Sequence, residues 1–264
     1  MTAELADWQD IAAQHWQGGE LDCARCPHAA LRAQGSCEPG RSCMQDAYAR
    51  RIERFFHTHP QLAHRHLGHA YFEVRAIAAR YADVFRLPAL MDDPDETVRL
   101  QLALRLPQRQ LLGLRDDPHR EVRIRVAQRL AVHQLISMRH DEDYQVRATV
   151  ARRLPEALLP LLIADADPTV RCEVARRMPM PALWRMAGDP AAEVRRVVAE
   201  RLPASWLDAF VDDPDLLVRW EAAGRAQAPV LERLRHDAEI EIRERAEARL
   251  MRPRGELVAE FEHG

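Results

Sequence analysis

The sequence predicts an all-α protein in which eight 24-residue repeats, each of two helices, stack into a solenoid. The first observation is a Val-Arg or Ile-Arg pair that recurs at a constant 24-residue interval between positions 74 and 243. The second is an aspartate six residues before each of these arginines except the first, where His69 replaces it. The third is that no segment alternates apolar and polar residues long enough to predict a strand. Units this short cannot bury their own apolar faces, so neighbours must stack around one continuous core.

The arginine and aspartate columns should interact with each other. Arg99 projects near the apolar face of its predicted helix, and a buried charge without a partner is costly. We therefore expect a ladder in which each arginine pairs with an aspartate of its own or the neighbouring repeat. Binding of an anionic ligand is the alternative, but a column present in every unit more often belongs to the scaffold. The arginines are Arg75, Arg99, Arg123, Arg147, Arg171, Arg195, Arg219 and Arg243, and the aspartates are Asp93, Asp117, Asp141, Asp165, Asp189, Asp213 and Asp237.

Each repeat should begin with an α-helix of about three turns. Asp93 is suited to cap this helix and Pro94 to occupy its first turn, while Pro107 ends it. The apolar face of the helix carries residues at four-residue spacing, namely Val98, Leu102 and Leu106.

The rest of the repeat predicts a second, shorter helix. Leu111 and Leu114 are three residues apart, which suits a short turn of α or 3₁₀ type. A column of small residues in the first helix predicts close approach of neighbouring helices. It consists of Ala79, Ala103, Ala127, Ala151, Ala175, Ala199 and Ala223. A second arginine column is expected on a solvated face rather than as a partner-binding stripe: Arg105, Arg129, Arg153, Arg177, Arg201, Arg225 and Arg249.

The composition indicates a soluble globular protein with little attraction to nucleic acid. The 264 residues are 47% apolar and 30% charged, and 38 basic residues, all arginine, face 41 acidic ones to give a net charge of −3. The acidic start MTAELADWQD lacks the features of a signal peptide, and no stretch of 18 or more apolar residues predicts a membrane span. We expect a cytoplasmic protein.

Four of the five cysteines are concentrated near the N-terminus and predict a metal centre. Cys23, Cys26, Cys37 and Cys43 follow the spacing C-x2-C-x10-C-x5-C. In a reducing compartment such a group favours metal ligation over disulfides. Four thiolates suit either one tetrahedral zinc ion or one cubane iron-sulfur cluster, and this spacing alone does not decide between them or exclude free thiols. Cys172 is expected to be a packed residue rather than a ligand.

The repeat frame Asp-Pro-x-x-x-Val-Arg resembles HEAT-like repeats. The 24-residue period and the Leu-x-x-Leu of the second helix resemble the leucine-rich repeat variant family more closely, over residues 66 to 252. That resemblance implies alternating α- and 3₁₀-helices in a right-handed superhelix. It also implies that an N-terminal cysteine-rich domain holding a 4Fe-4S cluster can precede the repeats, in bacterial proteins linked to nitrogen-fixation genes.

The resemblance therefore favours a 4Fe-4S cluster over zinc, with Cys23, Cys26, Cys37 and Cys43 as its ligands. It divides the chain into a cluster domain at residues 1–60 and a repeat domain at residues 61–264. Around the cysteines, Gly35 and Gly40 suit a loop wrapped round a cluster. Nearby basic residues could offset the thiolate charge; these are Arg25, Arg32 and Arg41.

Some positions depart from the repeat pattern. Ala166 replaces the usual proline, and Asp167-Pro168 supplies one two residues later, which predicts a locally altered helix start. Five histidines between the predicted domains lack an accompanying carboxylate pattern and are expected at the surface or as caps, with metal binding as the alternative. They are His57, His59, His64, His66 and His69.

The sequence contains no phosphate-binding loop, nucleophile elbow or separable pair of acids, so we do not expect an enzyme. The expected function is an iron-sulfur-containing scaffold that binds a protein partner, with a cluster that transfers an electron, senses redox state or oxygen, or braces the first repeat. The alternative is a nucleic-acid-binding or repair-associated protein with a structural metal site. The net acidity and the absence of interleaved aromatic residues count against that alternative.

Overall fold

The computed structural model describes residues 11–251, and the regular secondary structure within them is helical. Their β pairing is confined to two isolated bridges, His15 with Asp46 and Glu38 with Ser42. The chain forms two compact units, Met1–Gln134 and Leu135–Gly264. The predicted all-α class is therefore confirmed, whereas the division at residues 60 and 61 concerns a different boundary and stays a prediction.

The described residues contain both α-helices and 3₁₀ helices. The α-helices are α1 (Ala29–Ala33), α2 (Ala49–Thr58), α3 (Phe72–Tyr81), α4 (Glu96–Arg105), α5 (Gln108–Leu111), α6 (Arg120–Arg129), α7 (Val132–Leu135), α8 (Tyr144–Arg153), α9 (Pro168–Arg177), α10 (Ala192–Arg201), α11 (Leu216–Arg225), α12 (Ala228–Leu234) and α13 (Ile240–Leu250). The 3₁₀ helices are Pro60–His66, Val84–Leu90, Leu112–Leu114, Ile136–Met138, Glu156–Leu162, Ala182–Met186 and Ala204–Phe210. No helix of this part of the chain is long and apolar enough to cross a membrane.

The eight predicted repeats are confirmed by the starts of the long helices. Helices α3, α4, α6, α8, α9, α10, α11 and α13 begin at the predicted 24-residue interval, from Phe72 to Ile240. After each of the first seven comes a short helix of α, 3₁₀ or mixed type, as predicted. In the first unit α3 packs on α4 and α4 on α6, and in the second unit α8, α9, α10, α11 and α13 pack in succession.

The predicted helix cap is wrong by two residues. Helix α4 begins at Glu96, and its N-cap is Asp95, whose carboxylate accepts a hydrogen bond from the Thr97 N–H. The carboxylate of Asp93 instead accepts the Asp95 N–H at 3.0 Å and is held by Arg75. Asp93 therefore forms the turn before the helix, and Pro94 lies in that turn rather than inside the helix.

The displaced proline does not alter the helix start, so that prediction is also wrong. Helix α9 begins at Pro168 in the same 24-residue register as its neighbours, with Asp167 as N-cap. Proline is tolerated at the first helical position because its missing N–H has no partner there in any case.

The aspartate–arginine ladder is confirmed, and its pairs connect successive repeats. Arg171 donates from Nε to Asp189 Oδ2 at 2.8 Å and from Nη2 to Asp189 Oδ1 at 2.9 Å, while its Nη1 donates to the carbonyl of Asp165 in its own repeat. Burial alone would raise the pKa of Asp165, but its hydrogen bonds from Arg147 and the Asp167 N–H leave it lowered. The pairs of this geometry are Arg75–Asp93, Arg99–Asp117, Arg147–Asp165, Arg171–Asp189, Arg195–Asp213 and Arg219–Asp237.

The second arginine column also serves the scaffold, contrary to the predicted solvated face. Arg177 donates to the carbonyl of Ala151 at 2.6 Å, and Arg201 to that of Ala175 at 2.6 Å. The alanines that accept these bonds belong to the predicted column of small residues, which is fully buried, as its predicted role in close packing requires. The same kind of bond is made by Arg105, Arg129 and Arg225. Five arginines of this column therefore each satisfy a helix-end carbonyl of the preceding repeat, through bonds that are partly buried.

A further helical unit precedes the first predicted repeat. The 3₁₀ helix Pro60–His66 precedes Val84–Leu90 by the same 24-residue interval, and α2 packs against α3 as the repeat helices pack on each other. Its core side chains Ile52, Phe55 and Phe56 are fully buried. The sequence analysis missed this unit because neither the Val-Arg pair nor the aspartate occurs there in register.

Replacing Arg171 with methionine is expected to lower the free energy of unfolding by about 3 kcal/mol, because Asp189 remains buried without its partner. Chemical unfolding followed by circular dichroism measures this loss. The matched control is Arg176→Met, which removes an exposed pair with Glu173 and should cost at most about 1 kcal/mol. Equal losses in the two variants would show that the ladder pair contributes no more than a surface pair.

Candidate metal centre

The structure brings all four N-terminal cysteines to one cavity of about 440 Å³. Cys23 and Cys26 precede α1 and are half-buried, whereas Cys37 and Cys43 lie in the loop between α1 and α2 and are buried. Cys172 is buried in α9 and does not line this cavity, in agreement with its predicted packing role. The role of the four thiols as ligands stays a prediction at this point.

The first pair of cysteines is held by a turn that Asp22 organises. The Asp22 carboxylate accepts hydrogen bonds from the N–H groups of Ala24 and Arg25, at 3.0 and 3.2 Å. The His28 N–H donates to Cys26 Sγ at 3.4 Å. A sulfur that accepts a backbone N–H has its direction fixed before any metal arrives.

The second pair of cysteines flanks a tight loop. Glu38 and Ser42 exchange two backbone hydrogen bonds of 2.9 Å between Cys37 and Cys43. The turn inside this bridge contains Gly40, whose φ of 77° is in the left-handed region that favours glycine. Gly40 therefore lies in a tight turn, while its predicted place in a loop wrapped round a cluster stays a prediction.

The four thiols interact with one another and with nearby cations. The Cys43 thiol donates a hydrogen bond toward Cys37, which lowers the pKa of Cys37 and raises that of Cys43. Burial raises the pKa of Cys26. Arg25 and Arg32 line the cavity, as predicted for residues that offset thiolate charge. Arg41 does not line this cavity; its guanidinium lies 3.6 Å from Glu38 beside a neighbouring cavity that Cys37 also lines, so its role stays a prediction.

The cavity offers four soft thiol donors to a metal centre. Tetrahedral zinc has Zn–S distances of about 2.3 Å, so its four sulfurs must converge to within about 4 Å of one another. Among the residues that the structure describes, no three His, Cys, Asp or Glu side chains converge in a way that could hold one metal ion. Four soft thiols around a shared cavity are the donor set of an iron-sulfur cluster. Zinc is not supported.

An ion pair between Asp46 and Arg51 lies under the cysteine loops, and the sequence analysis missed it. Both side chains are 1% exposed, and Arg51 Nη1 is 3.1 Å from Asp46 Oδ2. Arg51 also donates to the carbonyls of Ile11 and Ala12, while Asp46 accepts the Tyr48 N–H at 2.9 Å. This buried pair therefore fixes the start of the described chain against α2, shortly after Cys43 ends the loop.

The cysteine segment is attached to the first repeat through aromatic contacts. The ring of Trp16 stacks on that of Tyr71 at 5.5 Å, and its Nε1 donates to Gln45 Oε1 at 3.1 Å. The Tyr71 hydroxyl donates to the Ala47 carbonyl at 3.2 Å. The cluster segment and the first repeats therefore form one packed body within the first unit.

The histidines were expected at the surface or as caps, and His59 is the cap residue between α2 and the following 3₁₀ helix, although its side chain is buried. His66 is half-buried. The pKa of His66 is lowered to about 4, mainly by burial and further by the charge of the nearby His28. The ring nitrogens of His59 and His66 contact the cysteine segment rather than solvent. His57 and His64 are exposed, as expected.

The fold and the cavity together define a helical repeat protein with an N-terminal four-cysteine centre. Residues 13–65 match the family described as LRV protein FeS4 cluster, and residues 72–95 and 144–167 match the leucine rich repeat variant. A solved structure described as a leucine-rich repeat variant with a novel repetitive structural motif is 42% identical and has a TM-score of 0.83. That match covers 87% of this chain and 98% of that one.

The chain belongs to the leucine-rich repeat variant family. It combines the repeat scaffold of the family with an FeS4-cluster domain. A 27.7 kDa protein of the nifB 3′ region of Rhodobacter capsulatus is 52% identical over 92 residues, or 35% of this chain. The match spans 38% of the length of that relative.

Replacing Gly40 with alanine is expected to cost about 1 kcal/mol of stability and to loosen the Cys37–Cys43 loop, because an L residue is strained at a positive φ. The added Cβ would meet only Ala13 at an ordinary 3.8 Å, so the effect comes from the backbone. Alkylation of Cys43 in metal-free protein should be faster than in the wild type. Gly188→Ala is the control, because its new Cβ would meet nothing within 4 Å and Gly188 has no positive φ. Equal rates of Cys43 alkylation in the two variants would contradict the role of Gly40.

Proposed function

We propose that Cys23, Cys26, Cys37 and Cys43 bind one 4Fe-4S cluster. The observation that carries this proposal is that all four thiols line one cavity, in a segment that matches a family described by an FeS4 cluster. When bound, such a cluster supplies one-electron redox chemistry. The residues around it have separate tasks: Arg25 and Arg32 offset thiolate charge, and the N–H groups at His28 and Gln45 donate to Cys26 and Cys43.

The repeats supply a scaffold that binds a protein partner. Trp184 and Trp206 support this part of the proposal, because their rings meet edge to face at 5.1 Å and remain 40% and 37% exposed. They lie on the short helices of successive repeats, Ala182–Met186 and Ala204–Phe210. Tryptophan side chains are enriched among the residues that contribute most to protein binding. One chain would then carry both a redox-active cluster and a surface that binds a protein partner.

The setting of the proposed function is the reducing interior of a bacterial cell, where thiols remain available to iron. The relative encoded in the nifB 3′ region supports an association with nitrogen fixation. No group of this chain is proposed to carry out catalysis.

The alternative function, nucleic-acid binding, is less well supported, because the arginines pair within the scaffold. The columns that could face phosphates instead donate to aspartates or to alanine carbonyls, for example Arg171 to Asp189 and Arg177 to Ala151. The net charge of −3 adds no electrostatic attraction. Binding of duplex or single-stranded DNA at low salt that disappears in Arg177→Ala would restore this alternative.

Anaerobically purified protein is expected to contain about four iron and four sulfide ions per chain, with a visible absorption band and an electron paramagnetic resonance signal on reduction. Cys37→Ala should lose both the ions and the band, since one of four ligands is gone. Cys172→Ala is the matched control, because Cys172 is buried outside the cavity. About one zinc and no iron in the wild type would overturn the cluster proposal.

The double substitution Trp184→Ala and Trp206→Ala is expected to weaken binding of the protein partner at least tenfold, because it removes the paired rings. The partner is identified by anaerobic affinity purification with mass spectrometry and then titrated as pure protein against oxidised and reduced scaffold. Phe85→Ala removes a single, 86% exposed ring from the first unit and serves as the control. A partner that binds both variants alike would exclude the tryptophan pair, and no specific partner in either redox state would count against the scaffold role.

A further inference from the structure

Two histidines, one before and one at the end of the 3₁₀ helix Pro60–His66, each contact one of the cysteine-bearing loops. His59 precedes this helix and His66 is its last residue. The helix belongs to the additional unit upstream of the first predicted repeat. One short element of the repeat scaffold therefore contacts the cluster segment at two points.

The contact of His59 fixes the loop that carries Cys37. His59 Nε2 is 2.9 Å from the carbonyl oxygen of Ser36, the residue before Cys37. Because a carbonyl only accepts, Nε2 must carry the hydrogen and donate. The imidazole is buried against the ring of Phe55 at 5.1 Å, so this donor is held in place by packing.

The contact of His66 fixes the loop that carries Cys26. His66 Nε2 and His28 Nε2 are 3.0 Å apart, so one ring donates the hydrogen that the other accepts. The backbone N–H of the same His28 donates to Cys26 Sγ. The two rings also pack on Phe55 and Phe56 of α2, at 5.2 and 5.6 Å. His66 thus acts on Cys26 through His28.

We propose that His59 and His66 are positioning residues of the iron-sulfur site that connect it mechanically to the first helical units. They hold the Cys37 and Cys26 loops on one rigid helix, so the sulfurs keep their directions and the N–H donor at Cys26 stays aimed at its sulfur. Conversely, loss of the cluster releases both loops and exposes α2 and the following 3₁₀ helix. The inference rests on the proposed cluster function.

The direction of the expected effect follows from the hydrogen bond to sulfur. An N–H that points at a cluster sulfur stabilises the extra negative charge of the reduced state, and such bonds help to set the reduction potential. When His28 loses its partner, this N–H is less well held, and the potential should become more negative. Removal of such outer contacts commonly weakens metal retention by roughly 10- to 100-fold.

The test compares His59→Leu and His66→Leu with the variants His59→Gln and His66→Gln, whose amide N–H can reach a similar position. His57→Leu is the control, because His57 is exposed and its ring contacts the edge of Tyr81 at 6.5 Å rather than a cysteine-bearing loop of the described chain. Three quantities are measured on iron-loaded protein: the rate of cluster loss to a chelator, the reduction potential, and amide hydrogen exchange in α2 and in Pro60–His66.

Both leucine variants should lose the cluster on the order of tenfold faster and exchange faster in both helices, and His66→Leu should also show a more negative potential. The glutamine variants should recover much of the wild-type behaviour. Leucine variants that match His57→Leu in all three measurements would overturn the inference. If a leucine variant fails to fold, the glutamine variant at the same position tests the inference through its reduction potential and its rate of cluster loss. Wild-type protein without iron would instead contradict the proposed function itself, so the two failures are distinguishable.

Discussion

The bidentate hydrogen bond from six of the eight ladder arginines to the aspartate of the next repeat sets the geometry of the repeats. The same carboxylate accepts an N–H two residues further on and so forms the turn before the next helix. The remaining guanidinium nitrogen returns to a carbonyl of its own repeat. One side-chain pair thus defines the helix start, the turn and the register between neighbours. The planar guanidinium group offers several donors in a fixed geometry, which a lysine ammonium group does not, and all 38 basic residues of this chain are arginines.

Much of the repeat fold was predictable because its signal is periodic. The Val-Arg, aspartate and alanine columns correctly predicted the helices, their spacing and the ladder. The errors concern choices between partners that a single sequence leaves open. Asp93 was assigned to the helix cap because aspartate favours that position, but its pairing with Arg75 takes the carboxylate away. The second arginine column was assigned to solvent because the sequence pattern does not show that its hydrogen-bond acceptors are backbone carbonyls of the preceding repeat.

The cluster segment was predictable only in part, because its contacts are long-range and not repeated. The cysteine spacing correctly grouped four thiols, and the glycines correctly marked a tight loop. Nothing local indicated that His59 would reach Ser36 across 23 residues, or His66 would reach His28 across 38. The buried pair of Asp46 and Arg51 likewise resembles an ordinary surface pair when read along the chain. The additional unit at α2 was hidden because it lacks the valine and the aspartate that mark the other repeats; only its 3₁₀ helix keeps the 24-residue spacing.

The constant 24-residue interval between helix starts has a consequence for how such a chain can change length. The junctions from α3 to α4, from α8 to α9 and from α9 to α10 use the same kind of arginine–aspartate pair, so a whole repeat could be duplicated or deleted and the new neighbours would still be complementary. An insertion of any other size before a ladder aspartate would move the carboxylate away from its guanidinium. Length variation among proteins of this construction should therefore occur in whole repeats, while the cluster segment, whose contacts are unique, remains a fixed end.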